Sequence, residues 1–149
     1  MKIALACDHG GYPLKLEIKE CILGMGHTVI ELGPENTPGD DYPDFAEKLG
    51  VAIVNAEAER GILICGSGVG ASIAANKIRG VYAAVCHDTY SAHQGVEHDR
   101  MNVLCLGARV IGSELAKELV EAFLNSQFSN AERHVRRVNK VYKIEQAGK

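Results

Sequence analysis

Short runs of consecutive apolar residues alternate along this chain with longer stretches in which apolar residues recur every three or four positions. The runs Lys2–Cys7, His27–Leu32, Gly61–Cys65, Val81–Cys86 and Asn102–Leu106 read as strands. The stretches Tyr12–Met25, Tyr42–Ala56, Val69–Lys77, Thr89–His98, Ser113–Phe123 and Ala131–Glu145 read as helices. The first helix carries Leu14, Ile18, Ile22 and Met25 at helical spacing, and the fifth carries Leu115, Leu119, Val120 and Phe123 on one face. Pro43 falls in the first turn of its helix, where a missing N–H does no harm. Gly33–Asp41, rich in Gly, Pro and Asp, reads as a loop.

Strand and helix alternate five times, and the strands are apolar on both faces. That pattern predicts an α/β fold with a five-stranded parallel sheet covered by helices on both sides. Right-handed crossovers then bring every strand's C-terminal end to one edge, where such sheets bind ligands. The residues expected at that edge are polar: Asp8-His9 after the first strand, Cys65-Gly66-Ser67 after the third, His87-Asp88 after the fourth.

With 149 residues the chain is long enough for one domain spanning 1–149 with an ordinary core. A net charge of −3 offers nothing for nucleic acid or an acidic membrane. The N-terminal apolar run ends at Asp8, too short for a signal peptide, and no run approaches a membrane span. Five cysteines without a CxxC pair argue against a disulfide framework, so a cytoplasmic, reducing setting is expected.

The strongest chemical signal is CGSGVGAS at 65–72. Glycines at alternate positions let backbone N–H groups converge, and the following helix adds its positive end. The resulting pocket suits either a phosphate or the oxyanion of an intermediate. The thiol of Cys65 stands next to those dipoles, which favour thiolate, so it can act as nucleophile or as proton-abstracting base; the alternative is an inert core thiol. A phosphatase loop would need arginine where Ala71 stands. Gly66-x-Gly68-x-x-Ala71 with Asp88 also fits a loose dinucleotide fingerprint, though it begins at the third strand. His9 and His98 fall at loop edges and are candidate acids or bases, whereas His27 reads as structural. Cys7, His9, Cys86 and His87 lack zinc-like spacing, so no metal is expected. Arg133 and Arg137 share a face if helical and can grip a phosphate, or else form a solvated basic face.

Together, DHGGYPLK near the start, DYPDFA at 41–46, GILICGSGVGASIAANK at 61–77, NVLCLGARVIG at 102–112 and RHVRRV at 133–138 resemble the ribose-5-phosphate isomerases of the B type. Subunits of galactose-6-phosphate isomerase share much of the pattern. The resemblance implies a Rossmann-like three-layer α/β/α sandwich and a homodimer or tetramer whose active sites lie between subunits. The C-terminal helix, about 131–147, is expected to pack on a partner. By the same resemblance Cys65 matches the catalytic base, Ser67 a hydroxyl residue often threonine, and Gly66, Ser67, Gly68, Val69 and Gly70 the loop that holds the enediolate. His98 matches the residue that opens the furanose ring. Asp8, His9, Asp99, Arg109, Arg133 and Arg137 match substrate or phosphate contacts.

The chain departs from the family pattern in two places. Some members carry a glutamate base in the glycine loop where Ala71 stands here, which leaves Cys65 as the candidate. Asp99 stands where asparagine is common, a change able to alter which sugar fits. The expected activity is interconversion of ribose 5-phosphate and ribulose 5-phosphate without metal or organic cofactor. Isomerisation of allose 6-phosphate or galactose 6-phosphate, a nucleotide-binding module and a non-catalytic sugar-phosphate sensor are the alternatives.

Overall fold

In the computed structural model, which describes residues 1–33 and 40–148, strands and helices follow in the order β1 (Lys2–Cys7), α1 (Tyr12–Gly24), β2 (Thr28–Glu31), α2 (Tyr42–Val54), β3 (Arg60–Cys65), α3 (Val69–Ala75), β4 (Ala83–Val85), α4 (Thr89–Asp99), β5 (Val103–Gly107), α5 (Ser113–Asn125) and α6 (Glu132–Ala147). Most of the expected Gly33–Asp41 loop lies outside the described residues.

All five strands run parallel, in the order β2-β1-β3-β5-β4. That order dictates where the helices go. A right-handed crossover that moves one way along a sheet leaves its helix on one face, and a crossover that moves back leaves it on the other. The steps β1→β2 and β4→β5 run one way, and α1 and α4 share a face. The steps β2→β3 and β3→β4 run the other way, and α2 and α3 share the opposite face. Between β1 and β3 the chain reverses direction, which opens a crevice at their C-terminal ends.

Each strand residue serves one layer or the other. Ile3, Leu5, Ile62, Ile64, Leu104 and Leu106 pack with Ile18 of α1, Val96 of α4 and Leu119 and Phe123 of α5. Ala4, Ala6, Leu63, Cys65, Val103 and Cys105 pack with Phe45 and Leu49 of α2 and Ala71 and Ala75 of α3. The second layer is rich in alanine, which lets α2 and α3 approach closely, and its inventory includes Cys65. In α5 the buried positions are Ala116, Leu119, Val120, Phe123 and Leu124, an unbroken helical stripe.

The strand β4 is shorter than the predicted Val81–Cys86 because it is an edge. The Asn76 carboxamide pairs with Ala83 as a peptide would: Oδ1 accepts from the Ala83 N–H at 2.9 Å and Nδ2 donates to the Ala83 carbonyl at 2.7 Å. Just before Ala83, Asn102 Oδ1 accepts from the Tyr82 N–H at 2.8 Å while the Tyr82 carbonyl accepts from the backbone N–H groups of Asn102 and Val103 at 3.0 and 3.2 Å, so a side chain replaces one rung of the pairing with β5. The Asn76 contact blunts an edge that would otherwise invite pairing.

The C-terminal helix α6 stands outside the two layers against α4. Its buried side chains are His134 and Val138, and Glu145 ties its far end by accepting from the Gly80 N–H at 2.8 Å and the Tyr82 hydroxyl at 2.9 Å.

Candidate active site

Three strand ends meet at the crevice. After β1, Asp8 turns the chain through a short 3-10 turn, His9–Gly11, by accepting with Oδ1 from the N–H groups of Gly10 at 2.9 Å and Gly11 at 3.1 Å. After β3, Cys65 and the glycine loop lead into α3. After β5, the Ala108 N–H donates to the Cys65 carbonyl at 2.9 Å and the Arg109 N–H to the Gly66 carbonyl at 3.0 Å, which pins the third strand end to the loop.

Gly68 has φ 82°, in the left-handed region that glycine enters freely. This turn brings its N–H back onto Cys65, whose Sγ accepts at 3.1 Å. The sulfur therefore sits where a positive backbone dipole favours electron density on it. Burial pushes the Cys7 and Cys86 thiols up to about 11 and also raises Cys21 and Cys105. Those four thiols are held protonated at neutral pH.

Cys65 is only 5% exposed, but it is not walled in. It faces a cavity of about 310 Å³ lined by Asp8, Tyr42, Gly66, Ser67, Gly70, Arg109 and Val110. Ser67 is exposed at its rim and accepts from the Val69 N–H at 3.3 Å. Tyr42 was not singled out from the sequence. It reaches the cavity because Gly70 has no side chain: a Cβ there would stand 2.7 Å from the Tyr42 ring.

A second group of predicted residues lies elsewhere. His98 and Asp99 end α4, and Arg133 and Arg137 lie on α6. The His98 and His134 rings stack with centroids 3.9 Å apart and planes at 33°. His134 is buried. Its Nδ1 lies 2.7 Å from Ser129 Oγ, and its Nε2 accepts from Arg133 Nε at 3.2 Å. None of His9, His98, Asp99, Arg133 and Arg137 lines the Cys65 cavity. The structure gathers Asp8, Cys65, Ser67 and Arg109 at one place and His98, Asp99 and Arg133 at another.

Burial, then the charges of His98, Arg133 and Arg137, lower the His134 pKa below its ordinary value, against a smaller opposing pull from Asp99. The unfolded chain therefore binds a proton that the folded chain resists, and the stability gained from a neutral His134 is full above about pH 6.5 and is lost as pH falls below it. Melting curves between pH 7.5 and 5.5 should show a loss of stability that is smaller in His134→Gln. An equal slope in both proteins would contradict this account.

The rival dinucleotide reading loses its acid. Asp88 is the N-cap of α4, and its Oδ1 accepts from the Ser91 N–H at 2.7 Å. His87 is likewise engaged, accepting with Nε2 from the Gly107 N–H at 3.0 Å. Among the described residues no group of three His, Cys, Asp or Glu side chains is placed to share a metal ion. No helix among them is long and apolar enough to cross a membrane.

A parallel sheet with a glycine loop and a thiol at its reversal point defines a small-molecule α/β enzyme. Residues 3–141 match the family described as Ribose/Galactose Isomerase, and the chain belongs to that family. It is 46% identical over 145 residues to ribose-5-phosphate isomerase B of Escherichia coli (strain K12), covering 97% of each chain. Its fold superposes on ribose-5-phosphate isomerase B of Clostridium thermocellum with a TM-score of 0.96, 44% identity and full coverage of both chains. It also superposes on the Mycoplasma genitalium ribose-5-phosphate isomerase B with bound ribulose-5-phosphate, with a TM-score of 0.91 and 39% identity, covering 97% of this chain and 96% of that one. The Rossmann-like architecture expected from the sequence is thereby established.

Proposed function

We propose that the protein interconverts ribose 5-phosphate and ribulose 5-phosphate, with Cys65 as the base. The observation that carries this reading is a sulfur that accepts a backbone N–H and faces a cavity lined by Asp8, Ser67 and Arg109. The relatives' names supply the substrate, since the Escherichia coli relative is called ribose-5-phosphate isomerase B and the Mycoplasma genitalium enzyme of that name holds ribulose-5-phosphate.

The chemistry needs three things. The furanose must open: His98 gives a proton to the ring oxygen as the C1–O bond breaks and takes in exchange the proton that the C1 hydroxyl gives up, so the imidazole ends as neutral as it began. The Cys65 thiolate then takes the C2 proton, and the electron pair moves onto the C1 oxygen to form the enediolate. The amides of Gly66–Gly70 bear that charge, at about 3 kcal/mol for a well-placed donor. Finally the O2 proton moves to O1 and the Cys65 thiol returns its proton to C1, which leaves a ketone at C2. Arg109, Arg133 and Arg137 hold the phosphate, with His9 and Asp99 as further substrate contacts. The phosphate anchor keeps C2 near the sulfur, which is the main use of binding energy remote from the reaction.

The separation of Cys65 from His98, Arg133 and Arg137 supports a site completed by a second copy. Val69, Ile73 and Val110 stand around the glycine loop and the β5 turn with half or more of their surface exposed. A groove of about 500 Å³ runs along the β4 edge beside Gln94, Asp99 and Val141. In a homodimer the α4 and α6 residues of one copy would serve the Cys65 cavity of the other, and α6 would pack on its partner. All five thiols are free, which fits a reducing cytoplasm.

An isomerase assay over ribose 5-phosphate, allose 6-phosphate, galactose 6-phosphate and the free sugars tests the reading. Turnover greatest on ribose 5-phosphate is expected, and none on any aldose phosphate would overturn it. His98→Asn should slow ribose 5-phosphate turnover by about 100-fold, the usual contribution of a positioned proton donor. It should spare the exchange of ribulose 5-phosphate C1 protons with deuterated water, which needs the base but no ring opening. Equal losses in both would remove His98 from ring opening.

A further inference from the structure

One side chain beside His98 settles which of its nitrogens carries the proton. Gln94, one turn earlier on α4, places Nε2 2.8 Å from His98 Nδ1 and 3.2 Å from Asp99 Oδ2. An amide has a donating end and an accepting end, and either can face an imidazole. An ionised carboxylate only accepts, so Asp99 requires the NH₂ end. That same NH₂ end then meets His98 Nδ1, which must accept.

We infer that Gln94 is a positioning residue that, oriented by Asp99, holds His98 as the tautomer protonated on Nε2 and so aims an N–H at the substrate. The inference rests on the reading of His98 as the ring-opening acid, and it assigns that role to one atom. The other sides of the ring fit this arrangement. His134 covers one face at 3.9 Å, and it is itself held by Ser129 and Arg133, so neither neighbour on α6 competes for Nδ1. The C-terminal turn is closed by Arg100, whose left-handed backbone lets its N–H reach the Gly95 carbonyl. His98 and Asp99 are thus fixed relative to Gln94 by the helix end. With asparagine at 99 the Gln94 amide would be free to turn either way, so the device depends on the residue that sets this chain apart from the family pattern.

The first test is ¹⁵N NMR of histidine-labelled protein, with the His98 signals assigned by their loss in His98→Asn. Wild type should show His98 protonated on Nε2 with Nδ1 bare, and Gln94→Met and Asp99→Asn should shift it towards a mixture of tautomers. The second test is kinetic. Gln94→Met should lower kcat on ribose 5-phosphate about tenfold, a fraction of what the proton donor contributes, with KM within about twofold. C1 exchange of ribulose 5-phosphate should stay at the wild-type rate. Glutamine's role is disproved by a wild-type His98 protonated on Nδ1, or by Gln94→Met with full turnover. If His98→Asn itself turns over ribose 5-phosphate normally, the ring-opening assignment fails, while the NMR result still decides the tautomer.

Discussion

Cys65→Ala is expected to reduce ribose 5-phosphate isomerisation by roughly 10³-fold or more, within the range that general bases contribute. The loss should appear equally in the C1 exchange of ribulose 5-phosphate, because both measurements need a base at the sugar carbon. The reason is local. Among the residues lining the cavity, Cys65 alone combines a titratable thiol with a backbone N–H aimed at it, and Ala71 supplies no carboxylate in its place. The fold should survive. The sulfur faces a cavity and its strand is held on both sides, by Ala6 and Cys7 of β1 through the ladder and by Gly107 of β5 opposite Cys65 itself. A loss of about 1 kcal/mol, or about 2–4 °C in Tm, is the scale to expect for one atom. Cys65→Ser separates shape from chemistry: the hydroxyl fills nearly the same space but does not ionise near neutral pH, so it should be almost as slow as alanine. A serine variant with substantial activity would move the base elsewhere in the cavity.

The sequence made parts of this molecule readable and left others hidden, for physical reasons. Strand segments such as Ile3–Cys7 and Gly61–Cys65 are apolar throughout because both faces are covered, and no helix offers that pattern at that length. Strand order was not readable. Alternation of strand and helix is the same whether β4 or β5 pairs with β3, and only the tertiary fold puts β5 inside and β4 at the edge. The glycine loop announced itself through local backbone needs, above all Gly68. Tyr42 and Gln94 did not, because their roles come from contacts made in space: Tyr42 over Gly70 from another helix, Gln94 between two neighbours whose own importance had first to be seen. Asp88 was read as a ribose ligand in one alternative, and its side chain is used to cap α4 instead. The separation of the Cys65 group from the His98 group could not be read either, since spacing along the sequence does not say which strand ends and helix ends meet in the fold.

That last point leads to the other large effect. Cys65→Ala and His98→Asn should each be nearly inactive on ribose 5-phosphate alone, but mixing them should restore activity. If each site takes its thiol from one copy and its histidine from the other, a mixed dimer has one site with both intact and one with neither. Random pairing of equal amounts makes about half the dimers mixed, so about a quarter of wild-type activity should return. The subunits would be exchanged in mild denaturant and then refolded together, with unmixed samples carried through the same steps. The double variant Cys65→Ala/His98→Asn, mixed with either single variant, should restore nothing beyond that variant's own residue of activity, because no pairing then unites an intact thiol with an intact histidine. The contrast follows from the arrangement of the chain: the cavity in front of Cys65 is lined from β1, α2, β3, α3 and the turn after β5, and by no residue of α4 or α6. A site contained in one copy would give no recovery at any mixing ratio, and that outcome would force His98, Arg133 and Arg137 out of the reaction in which Cys65 takes part.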